Sequence, residues 1–318
     1  RPKTLLFDLL DLAAEQWRRD PRRRHDTDQT RVAIVVTTEP ALLVAHRGAP
    51  IEVPALFESI DDTGPIRDPL GRSLRSMFGL SLAPEIYSGL AQERPPRLSV
   101  GFSLETALEL VRSETSGPAG ETWDELVMAA RRDGAEDGPE GIPILDLPHW
   151  LEEPPGAVEA LARARFTTVF RLPFRALDRS LTHLDEARWF ACVHDMIDEL
   201  TDGILVRHGC FDELRIEDQV GRRQTGSRTS MPGGGASEAV TIVRYDDVSS
   251  RWRAYRSFIG VQDDRGELVV GLRVGTEHAG ADGQAVLAAD LSTPSSPFVA
   301  DAPTTIDTGL PFLLSAPL

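Results

Sequence analysis

Two β-rich runs near the start of the chain, Val32-Ala33-Ile34-Val35-Val36 and Leu42-Leu43-Val44-Ala45-His46, leave the backbone little choice. Valine and isoleucine carry two heavy atoms on Cβ, which disfavours helix and suits a pleated surface. Two such runs joined by a short link read as an antiparallel hairpin, and the following Gly48-Ala49-Pro50 gives it a sharp exit. Strands are expected at 31–37 and 41–46. Gly48 has no Cβ, so it lets backbone pass close to a neighbouring strand or to a ligand. The residues alone leave both readings open.

Around this hairpin the pattern alternates between helical and extended. Leu5, Leu6, Leu9, Leu10, Leu12, Ala13 and Trp17 fall at helical spacing, and Pro21 with its flanking arginines ends that helix. As an amphipathic helix it would keep its acids, Asp8 and Asp11, in solvent. Gly and Pro punctuate residues 52–97, which reads as short helices between turns and a mobile, weakly packed lid over 56–97. Helices are expected at 102–112, 122–132, 157–163 and 185–205, and strands at 142–147 and 166–175. Residues 133–141 read as a surface loop, and the Gly/Ser/Arg/Thr-rich stretch 219–237 as a flexible one. Beyond it come strands at 239–245, 252–259, 267–274 and 285–290, with Asp263-Asp264-Arg265-Gly266 as a hairpin turn.

Composition excludes several classes. The chain is 41% hydrophobic, enough to bury a core across 318 residues. No apolar run approaches the roughly 20 residues that a membrane helix needs, so no membrane partner is expected. The net charge of −16 disfavours a general nucleic-acid surface. The basic run Arg18–His25 is a local exception, which caps a helix end and solvates a loop or meets an acidic partner. Two cysteines give no disulfide framework and suit a reducing cytoplasm. Cys192, His194, His208 and Cys210 lie within 19 residues of one another. Cys192 and His194 are two apart on an expected helix and so point to different faces. No metal is assigned to them. Arg1 is not an initiator Met, so the chain is read as a fragment of a longer protein.

Three motifs in order resemble the GHKL, or Bergerat-fold, ATPases, which include the histidine kinase-like ATPase domains. They are the hairpin 42–51, the stretch Arg97-Leu98-Ser99-Val100-Gly101-Phe102-Ser103 taken as opening a helix, and Phe166-Thr167-Thr168-Val169-Phe170-Arg171-Leu172-Pro173-Phe174-Arg175. The likeness is to the sacsin-type branch, related to the ninety-kilodalton heat-shock chaperone, and the closing Thr308–Pro317 also looks like a segment of that branch. The resemblance implies an α+β fold: a Bergerat-type α/β sandwich, with a mixed, mainly antiparallel sheet and helices on one face. A second, β-rich domain would follow. The division would be 1–185 for the ATP-binding domain and 186–318 for a middle-domain-like segment.

The resemblance also implies ATP and Mg²⁺ as cofactors, ATP/ADP and a protein client as partners, and a chaperone-like or ATP-gated role. It puts Asp8 at the position of the general-base Glu and Leu12 at the position of the magnesium-binding Asn. Leucine offers no oxygen to a hard cation, so hydrolysis is expected to be weak or absent. His46 takes the place of the Asp that accepts the adenine amino proton, two residues before Gly48. Neutral imidazole accepts one hydrogen bond, so the same role is expected of His46, with binding weakening as pH falls through the ordinary histidine pKa of ~6.5. Ser99 and Gly101 align with the phosphate-wrapping loop, and Pro96 has no N–H to offer it. Arg67 aligns with a lid Lys, and Thr168 with the strand threonine that touches adenine. The alternative is a pseudo-ATPase that keeps the fold as a protein-interaction scaffold.

Overall fold

The computed structural model describes residues 4–20, 31–61, 69–81, 83–91, 97–103, 148–174, 186–198, 200, 203–219, 223–232, 237–244, 248–259, 266–279, 285–288, 297–300, 302–307 and 312–316. In chain order the first elements are α1 (Leu5–Arg19), β1 (Arg31–Thr37), β2 (Ala41–His46), α2 (Val53–Asp61), α3 (Pro69–Met77), β3 (Glu85–Ser88), β4 (Leu98–Gly101) and β5 (His149–Trp150). Then come α4 (Gly156–Arg163), β6 (Thr168–Pro173), α5 (Glu186–Asp198), α6 (Gly203–Arg207) and β7 (Glu213–Asp218). The remainder is extended: β8 (Arg223–Pro232), β9 (Ser237–Arg244), β10 (Val248–Ile259), β11 (Gly266–Ala279), β12 (Ala285–Ala288), β13 (Pro297–Ala300), β14 (Ala302–Asp307) and β15 (Phe312–Ala316).

The hairpin forms as its composition dictates, with β1 and β2 antiparallel from Thr37↔Ala41 to Val32↔His46. Both strands are buried on both faces, so they read as continuous apolar runs rather than as alternation. β6 pairs with the other edge of β2, from Ala41↔Pro173 to His46↔Thr168. The sheet continues from β6 through β3 and β4 to β5, and from β1 through β7, β8, β9 and β10 to β11. β7 runs parallel to β1 and β13 parallel to β15, while the other pairs are antiparallel. The fold is therefore α+β, with a mixed, mainly antiparallel sheet.

Side-chain parity divides the core. Leu42, Val44, Ile34, Val32 and Phe170 point to the side covered by α1, α3, α5 and α6. Ala41, Leu43, Ala45 and Val169 point to the other side, where Val158 and Leu161 of α4 pack with Phe166 and Tyr87. The fully buried Trp189 of α5 donates its indole N–H to the Leu80 carbonyl at 3.1 Å. Truncating such an anchor costs on the order of 3–5 kcal/mol.

Four expectations change. The stretch read as a weakly packed lid contributes α3 and β3 to the core: Leu70, Leu74, Met77, Ile86 and Tyr87 are buried. Pro69, Gly79, Pro84 and Gly89 punctuate the short elements described there. Leu98–Gly101, in the stretch taken as opening a helix, is itself a strand, because Leu98 and Val100 alternate into the core beside β3. Arg223–Pro232, inside the stretch read as a flexible loop, is the strand β8 between β7 and β9. Its threonines and serines suit a strand's pleat even though its glycine content reads as loop. Helix α1 is buried nearly all round, with Asp8 buried and Asp11 only partly exposed rather than in solvent. The helix expected at 102–112 lies outside the described residues from 104 on, as do the helix at 122–132 and the strand at 142–147.

Candidate functional site

Across β1, β2, β6 and β3 the helix-facing side of the sheet is apolar except for one transverse row. In an antiparallel sheet, residues directly opposite each other present side chains to the same face. His46 lies opposite Thr168, and Thr168 opposite Ser88. These three polar side chains thus stand side by side across β2, β6 and β3, next to the apolar row Ile34, Val44, Phe170 and Ile86. All three are at most 1% exposed. The structure brings together His46 and Thr168, which the sequence put in one site, and adds Ser88.

Each member of the row has defined partners. The Ser88 and Thr168 hydroxyls are 2.8 Å apart. Ser88 also accepts the Ile51 N–H at 2.8 Å. His46 Nδ1 accepts the Gly48 N–H at 3.1 Å. Burial keeps the imidazole neutral, pushing its pKa down to about 3. A neutral ring whose Nδ1 lone pair is taken carries its proton on Nε2, and this buried Nε2 has no hydrogen-bond partner among the described residues. His46 is therefore a donor at its free nitrogen, not the acceptor expected from sequence. Protonation would begin only near pH 3, so the expected loss of binding at ~6.5 is corrected as well.

Gly48 explains this tautomer. A Cβ at position 48 would lie 2.7 Å from the Trp17 nitrogen and 2.8 Å from the Gln16 carbonyl carbon. The glycine's close approach is thus to the backbone of the helix α1, where the sequence had suggested a neighbouring strand or a ligand. Ala49 N–H donates to the Gln16 carbonyl at 3.0 Å. The Thr167 hydroxyl lies 2.6 Å from the Gly48 carbonyl and 3.0 Å from that of His46. The hairpin exit is thereby held on both sides, and the peptide that fixes the His46 tautomer is held with it.

The other end of the expected site is arranged differently. The Asp8 carboxylate accepts the Ser76 hydroxyl, and its backbone carbonyl accepts the Ser73 hydroxyl at 3.1 Å. Burial raises the Asp8 carboxyl above its ordinary value, opposed by the Ser76 bond and by Arg72. Leu12 is buried in the apolar core. Asp11 holds Arg207 at 2.9 Å and His208 at 3.3 Å. Mg²⁺ asks for several oxygen ligands around open positions; α1 offers a leucine and two carboxylates already engaged, so these residues do not fit the ion.

Ser99 and Gly101 sit in β4, which is paired with β3 along its length and with β5 at Val100 and Gly101. A Cβ on Gly101 would lie 2.8 Å from His149 Nε2 and 3.0 Å from the Leu151 side chain. A strand in such a ladder is not a ring of free N–H donors around a phosphate, so the loop expected here is corrected. Arg67 lies outside the described residues. His194 pairs with Asp218 at 3.1 Å while His208 meets Asp11. No group of three or more His, Cys, Asp or Glu could hold a metal ion among the described residues. Nor is any described helix long and apolar enough to cross a membrane.

Sequence reasoning missed Ser88 because 85–88 was read as lid. The signal was present: Glu85-Ile86-Tyr87-Ser88 ends at Gly89, whose positive φ of 72° marks a turn.

No protein-family model and no curated protein matches the chain. Among solved structures it is similar to the B-subunit of DNA gyrase from Myxococcus xanthus, at 12% identity and a TM-score of 0.36, over 85% of this chain and 61% of that one. It is similar to the Aquifex aeolicus MutL ATPase domain complexed with ADP, at 12% identity and 0.33, over 97% and 91%. It is also similar to the 43K ATPase domain of Thermus thermophilus gyrase B in complex with an aminocoumarin, at 12% and 0.33, over 80% and 58%. The chain spans less than two thirds of either gyrase chain. TM-scores this low carry no functional argument; the chemistry of the polar row has to carry it.

Proposed function

We propose that residues 1–185 are a purine-nucleotide-binding unit of the GHKL type. ATP is the ligand implied by the sequence resemblance. Residues 186–318 are the middle-domain-like segment that follows. The role is a chaperone-like or nucleotide-gated conformational one, sacsin-like in kind, acting on a protein client in the cytoplasm. The observation that carries the reading is the buried, unpartnered Nε2 of His46 beside the Thr168 and Ser88 hydroxyls. Leaving such a donor unsatisfied costs roughly 1–3 kcal/mol. Binding a ligand there relieves the cost, and buried orphans of this kind call for that sort of explanation.

In this reading the base lies against the row, its 6-position toward His46, with Thr168 beside it and Phe170 beneath. Gly48 serves by fixing the His46 tautomer, and Arg67 is kept as the phosphate partner. Because α1 does not fit Mg²⁺, binding should persist in EDTA and hydrolysis should be weak or absent. Asp8 is the one carboxylate left in the general-base position, and its raised pKa suits a base while its Ser76 bond holds it back.

Thermal unfolding in EDTA with ATP, GTP and ITP tests this. A triphosphate at 100 times its dissociation constant should add about 2.7 kcal/mol of stability. If none of the three stabilises the protein, the nucleotide reading falls and the scaffold reading replaces it.

A further inference from the structure

We propose that the surface at the hairpin exit is a docking face for a short acidic segment of a partner protein, held by Arg18, Arg19, Arg47, Arg163 and Arg165. Nucleotide binding is not required for it.

Three chain segments bring these arginines to one place. Arg18 and Arg19 close α1. Gly48 rests on the backbone of that turn, its Cβ position 2.7 Å from the Trp17 nitrogen. Arg47, the residue before it, donates to the Ala164 carbonyl at 3.0 Å. Ala164 stands between Arg163 and Arg165 at the end of α4. Arg18, Arg19, Arg163 and Arg165 are exposed, and Arg47 is half-buried among them.

Helix electrostatics accounts for part of this. Cations in the last turn of a helix offset its dipole, which explains Arg18, Arg19 and Arg163. Arg165 lies beyond α4, at φ 67°, where a Cβ is strained and glycine is the usual residue. Strain kept at an exposed position points to use of the side chain. Arg47 is fixed before any partner arrives. Besides its bond to Ala164, its guanidinium stands 5.7 Å from the centre of the Phe166 ring. An arginine already held in place loses less side-chain freedom on binding.

The occupant follows from the kind of cation and the extent of the patch. All five are arginines, whose planar forks meet a carboxylate with two hydrogen bonds at once. The positive region is short. Glu15 lies one turn back on α1, paired with Arg19, and the exposed Glu159 lies one turn back on α4. The whole chain carries −16. A nucleic-acid backbone needs a longer cationic track and would run onto those acids, whereas a few carboxylates on one short segment match the patch.

Fluorescence anisotropy tests this, with a labelled peptide of alternating glutamate and glycine titrated by the full chain at low salt and without nucleotide. Wild type should bind the peptide, and added salt should release it. Arg163→Glu combined with Arg165→Gly should raise the dissociation constant about tenfold or more. Arg47→Gln keeps the stem over Phe166 and should raise it about threefold, and it serves if the double variant fails to fold. Arg188→Glu is the control. It is exposed on α5 beside Trp189, which packs on Phe174 and so lies toward Pro40, at the other end of β2. It should leave the affinity within about twofold. No binding by wild type, or an equal loss in Arg188→Glu, overturns the docking face and leaves the nucleotide reading untouched. Tighter binding of an oligo-deoxythymidylate of similar charge through the same arginines would make this a nucleic-acid face. Self-association abolished by the double variant would make it an interface between copies. Either result overturns the acidic-segment assignment.

Discussion

Two polar clusters of the core differ in how completely they are satisfied. Along α1, Asp8 is bonded by Ser76 and Ser73, and Asp11 by Arg207, with His208 Nε2 3.3 Å away. Every acid there has its partner inside the fold. In the row across β2, β6 and β3, the hydroxyls are satisfied but the His46 Nε2 is left over. Buried polar groups that close on one another rigidify a core, whereas one left open is held at a cost that a ligand can remove. The first cluster therefore reads as structure, joining α1 to α3 and α6, and the second as the place where something binds. Sequence resemblance had given the chemistry to both.

The largest effect expected of this contrast is on the α1 side. Asp11→Ala leaves the guanidinium of Arg207 in a site where its side chain is only 10% exposed, without its carboxylate. Breaking a buried pair from one side costs on the order of 3–5 kcal/mol. Urea denaturation should report a loss in that range; a loss below about 1 kcal/mol would be the behaviour of a surface pair and would dissolve the contrast.

What could be read from the sequence follows from how local each signal was. The hairpin 31–46, helix α1 and the strands β6, β9, β10 and β11 declared themselves through period and branching within their own residues. His46 and Thr168 were found because motif order placed them. The rest depended on partners far away in sequence. Nothing local to Ser88 says that it lies opposite Thr168, and nothing in Asp11 says that Arg207 will reach it. The direction of the His46 hydrogen bond is set by a peptide two residues on, which α1 pins from behind. Glycine in 219–237 outweighed the hydroxyl residues whose neighbours in β7 and β9 make that stretch a strand.

The second effect is on the row itself, through pH. His46 has a folded pKa of about 3, against 6.5 for an ordinary histidine. The unfolded chain thus takes up the proton first. The stability contribution is intact above 6.5 and is lost as pH falls from there toward 3. At about 1.4 kcal/mol per pH unit, wild type should lose about 2 kcal/mol more than His46→Gln between pH 8 and pH 5. Parallel urea midpoints for the two proteins over that interval would show that His46 is already charged or solvated, and the row would no longer be a closed site.

A third test separates the glycine's packing from any ligand role. Gly48→Ala pushes a methyl group into backbone atoms of α1 at 2.7–2.8 Å. Overpacking of this kind costs typically 1–3 kcal/mol, and the hairpin tip can shift enough to keep the loss near 1–2. Hydrogen exchange should show faster exchange at Ala49, whose N–H is bonded to Gln16. Unchanged stability and unchanged exchange would mean that α1 does not hold the hairpin exit.

The smallest effect lies where the chain enters the row from below. Helix α4 ends in a Schellman turn: Phe166 N–H returns to the Leu161 carbonyl at 3.1 Å and Arg165 N–H to that of Ala162 at 2.9 Å. Phe166 and Leu161 bury together beneath it, the apolar contact usual for this motif. The turn delivers Thr167 and Thr168 to the row, and it requires a left-handed residue at position 165. An arginine sits there, at φ 67°. The left-handed conformation costs a residue with a Cβ roughly 1–2 kcal/mol. Glycine avoids that clash but gives up about 0.5–1 kcal/mol of unfolded-state entropy, and the arginine's own contacts are lost. Arg165→Gly should therefore stabilise the fold by about 0.5 kcal/mol and leave nucleotide affinity unchanged, because the backbone path into Thr168 is the same. A destabilised variant would mean that the Arg165 side chain outweighs its strained backbone. A variant of unchanged stability that binds nucleotide differently would mean that the turn sets the position of Thr168, and that the row is less rigid than its hydrogen bonds require.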